Sequence, residues 1–345
     1  MKQSFSRNNS LYLFLSFLAS LIELGPVILL LVTKNSILSA LFVGLCYQLG
    51  NIIPGVVRLP RKLLVITIIV GCLFSVVSSH SPFAFYISVT LASIGLQSLR
   101  RAISSKGDLM VTTFTKRLSR IAGFAVSGMF SYWMISIILL ILIIVSLIVT
   151  QDSHAKPKLP LPTPLALIMI IHQSHYFSYA YILPALLLLH LHVPATLVGV
   201  YFIVGWLSYI STERIVHSKK YIHILIAGHI LVAFSLTLLG FFYWSLPLVI
   251  FSWFFSGLGG GTVYCITIIN RQLVLKSHTE IEFWEDVGHV TGVGLSIILA
   301  ISLISSPFRM FYVSALIAII TALGVALSKG WIVRNSNTVS SLSPK

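Results

Sequence analysis

Runs of apolar residues, broken at short intervals by a charge, a proline or a polar cluster, recur along the whole chain. A helix needs about 20 such residues to cross a hydrocarbon core of about 30 Å. In lipid the backbone polar groups must be satisfied within the segment itself, so these runs predict membrane-spanning α-helices. Cutting at the interruptions gives twelve spans, at residues 10–33, 36–54, 63–79, 83–99, 113–131, 133–151, 163–190, 195–212, 222–242, 246–269, 285–305 and 308–328. The first run is too long for the apolar stretch of a signal peptide and lacks a small-residue cleavage site, so it is expected to remain as a span. Ile121 to Thr150 is an almost unbroken apolar run that one long helix could also explain.

Charge placement separates those two readings. With twelve spans and an inside N-terminus, all but Lys34 and Arg309 of the 23 Lys and Arg residues fall on the cytoplasmic side. Fusing the fifth and sixth spans would invert everything after residue 150 and break this positive-inside bias. Two short helices joined near Tyr132–Trp133 are therefore expected, with the aromatic residues at an interfacial turn.

Composition adds what the pattern alone leaves open. Apolar residues make up 57% of the 345 positions and charged residues only 9%, which excludes a water-soluble globular fold. The net charge of +15 does not imply a nucleic-acid partner, because the cations sit in short loops between apolar runs rather than on one solvated face. Cys46, Cys72 and Cys265 are odd in number, lie in apolar stretches and have no metal-ligand spacing, so they read as packing residues. The interval 151–162 is the most polar between the halves.

The expected fold is an all-α polytopic membrane protein of two six-helix bundles with cytoplasmic N- and C-termini. The expected divisions are a first bundle at 1–151, a cytoplasmic linker at 152–162, a second bundle at 163–330 and a cytoplasmic tail at 331–345. No segment is large enough to form an extramembrane domain, so chemistry is expected within the bilayer. The compact loops suggest a bacterial cytoplasmic membrane.

Six plus six spans with a central cytoplasmic linker resemble the major facilitator superfamily, and two loops carry more specific likeness. That family's loop between helices two and three has the form G-x-x-x-D-R-x-G-R-K. Here Val57-Arg58-Leu59-Pro60-Arg61-Lys62 keeps the three basic positions, with Val57 at the acidic position and Pro60 at the second glycine. Between helices eight and nine, Ser211-Thr212-Glu213-Arg214 keeps the acid–base pair, while Val216 and His217 stand at the later positions. The resemblance implies that Arg58, Arg61, Lys62, Glu213 and Arg214 are gating residues that latch helices in the outward-facing state. It further implies that helices one, four, seven and ten line a central cavity. The glycine- and proline-rich fifth-helix motif of antiporters is not matched, since Gly123 and Gly128 lack a following Gly-Pro.

An ionisable residue deep in a span is costly unless it faces a partner or a cavity, so such residues mark candidate sites. Glu23 is the sole carboxylate near a midplane and the leading candidate for a proton-carrying or cation-binding group. The alternative is a carboxyl satisfied by a neighbouring helix or lying near the outer interface. In the seventh span His172, His175, Tyr176 and Tyr179 share one helical face. Imidazole and phenol groups suit an amphipathic or aromatic organic solute, or else form a structural polar seam. No metal is expected, because His172 and His175 without a nearby Asp, Glu or Cys make a thin set of ligands. Gln97 and Arg100 in the fourth span and Tyr264, Thr267 and Asn270 in the tenth could complete the site, with Arg100 alternatively an interfacial anchor. Gly257-Leu258-Gly259-Gly260-Gly261 suits close helix packing or a gating bend. Glu280, Glu282, Glu285, Asp286 and His289 form the only acidic cluster. Beside Arg271 and Lys276, Glu285 and Asp286 are expected to close an inner gate; a cytoplasmic proton-release site is the other reading. His190, His192, His223 and His229 receive no role.

These features point to a secondary active transporter working by alternating access, since no nucleotide-binding motif supplies another energy source. The expected activity is proton-coupled export of a small amphipathic organic solute such as a drug or metallophore, with solute uptake as the rival. An intramembrane transferase is a second alternative, though GxSxG, HExxH and paired carboxylates are all missing from the spans. A purely structural or assembly role is a third, which would leave the polar stripe without a purpose. No catalytic residue and no cofactor are expected. Expected partners are membrane lipid, a small-molecule substrate, and protons or another coupling ion, with no nucleic acid and a monomeric chain.

Overall fold

The computed structural model describes residues 7–57, 59–104, 113–149, 164–215, 221–263, 265, 278–303 and 306–342. Helices dominate, and no strand occurs among the described residues. The first half contains α1 (Arg7–Lys34), α2 (Ile37–Val56), α3 (Arg61–Val76), α4 (Pro82–Ser104), α5 (Thr113–Val126) and α6 (Tyr132–Ile148). The second contains α7 (Pro164–Ala180), α8 (Ala195–Ile215), α9 (Tyr221–Phe241), α10 (Leu246–Gly260), α11 (His278–Ser302) and α12 (Met310–Leu342). These follow the expected runs, and eight of them, all but α3, α5, α6 and α7, are long and apolar enough to cross a bilayer. The protein is an all-α polytopic membrane protein.

The break between the fifth and sixth spans falls where charge placement puts it. A short 3-10 turn, Ser127–Met129, follows α5, and α6 begins at Tyr132. Gly128 fits there because its Cα faces the Ala195 backbone, where a side chain would collide with a carbonyl oxygen. The turn between α1 and α2 uses Asn35 at φ 48, a left-handed conformation that Asn tolerates, before Ser36 caps α2 through Ser39 N–H.

Four boundaries differ from the sequence reading. The seventh span is not one helix: α7 stops at Ala180, a short helix Ile182–Ala185 follows, and Leu186–His190 form a π-helical turn. Pro184 has no N–H for the carbonyl of Ala180, which explains the interruption. Helix α4 runs on to Ser104, so Arg100 and Arg101 lie within it. Helix α11 starts at His278, so the acidic residues from Glu280 onward are helical. Helix α12 continues to Leu342, through most of the expected tail, because no proline interrupts the segment before Pro344. The expected linker at 152–162 lies outside the described residues.

Two compact units emerge, one of 1–158 with 187–203 and one of 159–186 with 204–345. In the first, α1 is the central helix: 83% of its most apolar window is buried, against 39–56% for the other seven spans. It packs against α2, α4 and α5, while α3 packs on α4 and α6. Small residues allow close approach, as where Gly50 of α2 meets the Thr90 carbonyl and Ser93 of α4. In the second, α7 packs on α11 and α12, and α9 packs on α10 and α12. Ser296 of α11 donates to the carbonyl of Ser178, and Ser178 and Ser314 hydroxyls pair between α7 and α12.

Candidate functional site

Among the described residues, each unit contains a polar cluster built around one of the leading candidates. In the first, Glu23 is 5% exposed, on the inward face of α1. Three residues on, Pro26 lacks the N–H that would bond the Ile22 carbonyl, so the helix is locally opened beside the acid. The carboxylate is not alone. Arg120 of α5 donates from Nη2 to Glu23 Oε2 at 2.7 Å and from Nε to Ser20 Oγ at 3.2 Å. Arg120 was expected on the cytoplasmic side with Lys116 and Arg117, yet two turns into α5 its long side chain reaches the buried acid.

Three turns before Glu23, on the same face of α1, Tyr12 stands between two cations. The Arg100 guanidinium lies 5.6 Å and the Lys116 ammonium 5.4 Å from its ring centroid. Arg100 Nη1 donates to Gln97 Oε1 at 3.1 Å, the one-turn spacing on α4 that the sequence shows. Its Nε is buried and bonds nothing. Helix α2 closes another side: Ser93 Oγ contacts the Tyr47 carbonyl at 2.7 Å and Asn51 Oδ1 at 2.8 Å. Tyr47 is buried and lies within electrostatic reach of Glu23, Arg100 and Arg120. The charged side chains of this cluster are thus one carboxylate and three cations, Arg100, Lys116 and Arg120, beside the phenols of Tyr12 and Tyr47.

The second cluster is uncharged. The stripe of α7 holds together as the spacing predicts: His172, His175 and Tyr179 are buried and Tyr176 is half-buried. Its partners come from α8, α9 and α10. His229 of α9 places Nε2 2.7 Å from His172 Nδ1, and its own Nδ1 donates to the Leu225 carbonyl at 2.8 Å. The Tyr179 hydroxyl pairs with Ser256 of α10 at 2.9 Å. Tyr176 stacks on Trp253 at 6.4 Å and meets Trp206 edge-on at 6.5 Å.

The remaining candidates divide. Gln173 donates to Glu285 Oε1 at 3.0 Å, so this acid ties α11 to α7; Asp286 lies 3.8 Å from His289. Arg61 donates to the Leu147 carbonyl and thereby joins the start of α3 to the end of α6, while Lys62 is exposed. Thr212, beside the second basic loop, donates to the Leu258 carbonyl at 2.8 Å. Arg58, Tyr264, Thr267, Asn270, Arg271 and Lys276 lie outside the described residues, as do the side chains of Glu213, Arg214, Glu280 and Glu282.

Arg120, His229, Trp206 and Trp253 are the residues that sequence reasoning passed over. His229 carried a usable signal, because an imidazole in the middle of an apolar span marks a site by the same rule that singled out Glu23. Arg120 carried one too: the only deep carboxylate requires a cation within reach.

No family model matches the sequence, and no curated protein matches it. Solved structures are similar in fold. The human organic anion transporter MFSD10 (TETRAN) superposes with a TM-score of 0.57 at 13% identity, covering 94% of this chain and 100% of that one. A POT family transporter in complex with 5-aminolevulinic acid gives 0.67 at 13% identity, covering 94% and 96%. The nucleoside transporter NupG gives 0.63 at 12% identity, covering 93% and 99%. The fold expected from the two basic loops and the six-plus-six pattern is thus found: it is the fold of major facilitator transporters.

Proposed function

We propose that this chain is a secondary transporter that moves a small amphipathic organic solute across the membrane by alternating access, coupled to protons through Glu23 and Arg120. The single observation behind this reading is the buried Glu23–Arg120 pair at 2.7 Å, with Arg100 and Lys116 over the Tyr12 ring three turns earlier on α1. A buried ion pair is a poor source of stability, since desolvation offsets most of its attraction. It is a good switch. When Glu23 takes a proton the pair loosens, and the Arg120 guanidinium is free to form a bidentate bond with an anionic group of the solute. Loss of the proton on the other side restores the pair and displaces the solute. The likeness of fold to an organic anion transporter, a POT family transporter and a nucleoside transporter supports transport over catalysis.

On this reading the chain acts as a monomer in a cytoplasmic membrane, with both termini on the inner side; proton and solute cross together, so an inward proton gradient drives uptake, the rival of the export read from the sequence. The test uses purified protein in liposomes, with 5-aminolevulinic acid, a nucleoside and an aromatic carboxylate as radiolabelled probes. Exchange of internal for external solute and accumulation driven by an imposed pH gradient are measured separately, and the sign of accumulation gives the direction. Glu23→Gln is expected to keep exchange of the transported probe and to lose gradient-driven accumulation. Accumulation by Glu23→Gln equal to that of the unaltered chain would overturn the coupling.

A further inference from the structure

The second unit carries a different kind of site. His172, His175 and His229 are each less than 4% exposed, and one ring nitrogen from each falls within 4.8 Å of the others. Their ring centroids are separated by 4.9, 4.9 and 5.7 Å. We infer that these three histidines form a binding site for a divalent first-row transition-metal ion, of which Zn2+ is the representative, with one coordination position left open. The inference is independent of the proton-coupling role given to Glu23.

Three arguments carry it. The donor set is complete where the sequence showed only two imidazoles: His229, from a helix 57 residues along, is the missing third ligand, and three imidazoles plus one open position are a common zinc arrangement. The supporting hydrogen bond is already in place. A carbonyl oxygen can only accept, so His229 Nδ1 carries its hydrogen toward Leu225, and the Nε2 lone pair, which here accepts from His172 Nδ1–H, is the one a metal would take in place of that hydrogen. One buried ring nitrogen of the cluster has no well-formed hydrogen bond. His175 Nδ1 is buried near the carbonyls of Ile171 and His172 and meets neither in good hydrogen-bond geometry, so it is weakly held and available to another partner.

The geometry requires only modest adjustment. Zinc–nitrogen bonds of about 2.0–2.1 Å in tetrahedral array set nitrogens about 3.3 Å apart. The 2.7 Å contact of His172 with His229 must open slightly and the widest gap, at most 4.8 Å, must close. Rotations about the side-chain bonds of three residues on two helices supply both. All three ligands are neutral imidazoles, which suits Zn2+, Ni2+ or Cu2+ and discriminates against Mg2+ and Ca2+, whose ligands are oxygens. None of the three ligands brings a negative charge to offset the ion's. An anionic fourth ligand, hydroxide or a carboxylate of a bound solute, is therefore favoured at the open position.

The experiment takes tag-free protein, stripped of metal and kept in detergent, and titrates it with Co2+ and then with Zn2+. Co2+ is expected to give the intense visible bands of four-coordinate cobalt at one ion per chain, and Zn2+ to bleach them by displacement. Acidification is expected to release the ion, since each ligand must be deprotonated to bind. His172→Gln, His175→Gln and His229→Gln should each weaken binding by more than the roughly 10- to 100-fold that loss of a supporting partner costs. Circular dichroism and gel filtration verify that each variant is folded, and the pH-release experiment needs no variant. Absence of the bands in the unaltered chain, a six-coordinate spectrum, or undiminished binding by the triple glutamine variant would each overturn the site.

Discussion

The two polar clusters solve the same physical problem in opposite ways. In the first unit polarity is charged: Glu23 and Arg120 form an ion pair at 2.7 Å, with Arg100 and Lys116 flanking Tyr12. In the second it is neutral, an array of imidazole, phenol and hydroxyl groups joined by contacts such as Tyr179 to Ser256. Charge in a low-dielectric interior is all-or-none, because removing one partner strands the other. A neutral array degrades gradually, since each group loses only its own bond. The first cluster thus depends on a single pair, and the second spreads its dependence over several contacts.

Substitutions can break this contrast, and the largest effect is expected in the charged cluster. Arg120→Met leaves Glu23 buried without a partner and should cost about 3–5 kcal/mol. The thermal melting point in detergent should fall accordingly, and adding Glu23→Leu to Arg120→Met should recover most of the loss. No recovery in that double variant would mean that the pair is not the dominant interaction. Next comes packing: Gly257→Val drives a side chain into the Gly205 carbonyl and Ser208 and should cost about 1–3 kcal/mol by the same assay. In the neutral cluster Ser256→Ala removes one hydrogen bond from Tyr179, and interhelical bonds in membranes average about 0.6 kcal/mol. A loss as large as that of Arg120→Met would erase the distinction between the clusters. The smallest effect belongs to Arg61→Met, which removes an exposed cation from the end of α6 and should cost about 0.3 kcal/mol.

Most of the helix plan was legible because hydropathy and loop charge depend on sequence-local composition. The junction at Tyr132 is an instance: the apolar run alone was ambiguous, and the distribution of Lys and Arg resolved it. Glu23 and the α7 stripe were legible because one residue's burial, or a spacing of three and four, is visible in one helix. Their partners were not. Arg120 and Glu23 are 97 residues apart, and His229 and His172 are 57 apart. Which turn of one helix meets which turn of another is decided by packing over the whole unit. Helix ends were the other weak point. Polar residues such as Asn335, Ser336 and Asn337 read as a tail, yet they continue α12. A hydropathy boundary marks where the apolar stretch stops, and a helix continues wherever no residue forbids it.

The contact at Gly257 carries one more consequence. There α8 and α10 touch main chain to main chain, with Gly257 against the Gly205 carbonyl and Gly205 against the Trp253 ring. Side chains can swap rotamers and let helices slip past each other, but bare peptide planes cannot. The two helices are therefore welded at this level and must travel as a single strut. Any flexing of the second unit is displaced to other seams, such as the interrupted segment after Ala180, where the hydrogen-bond ladder is already broken.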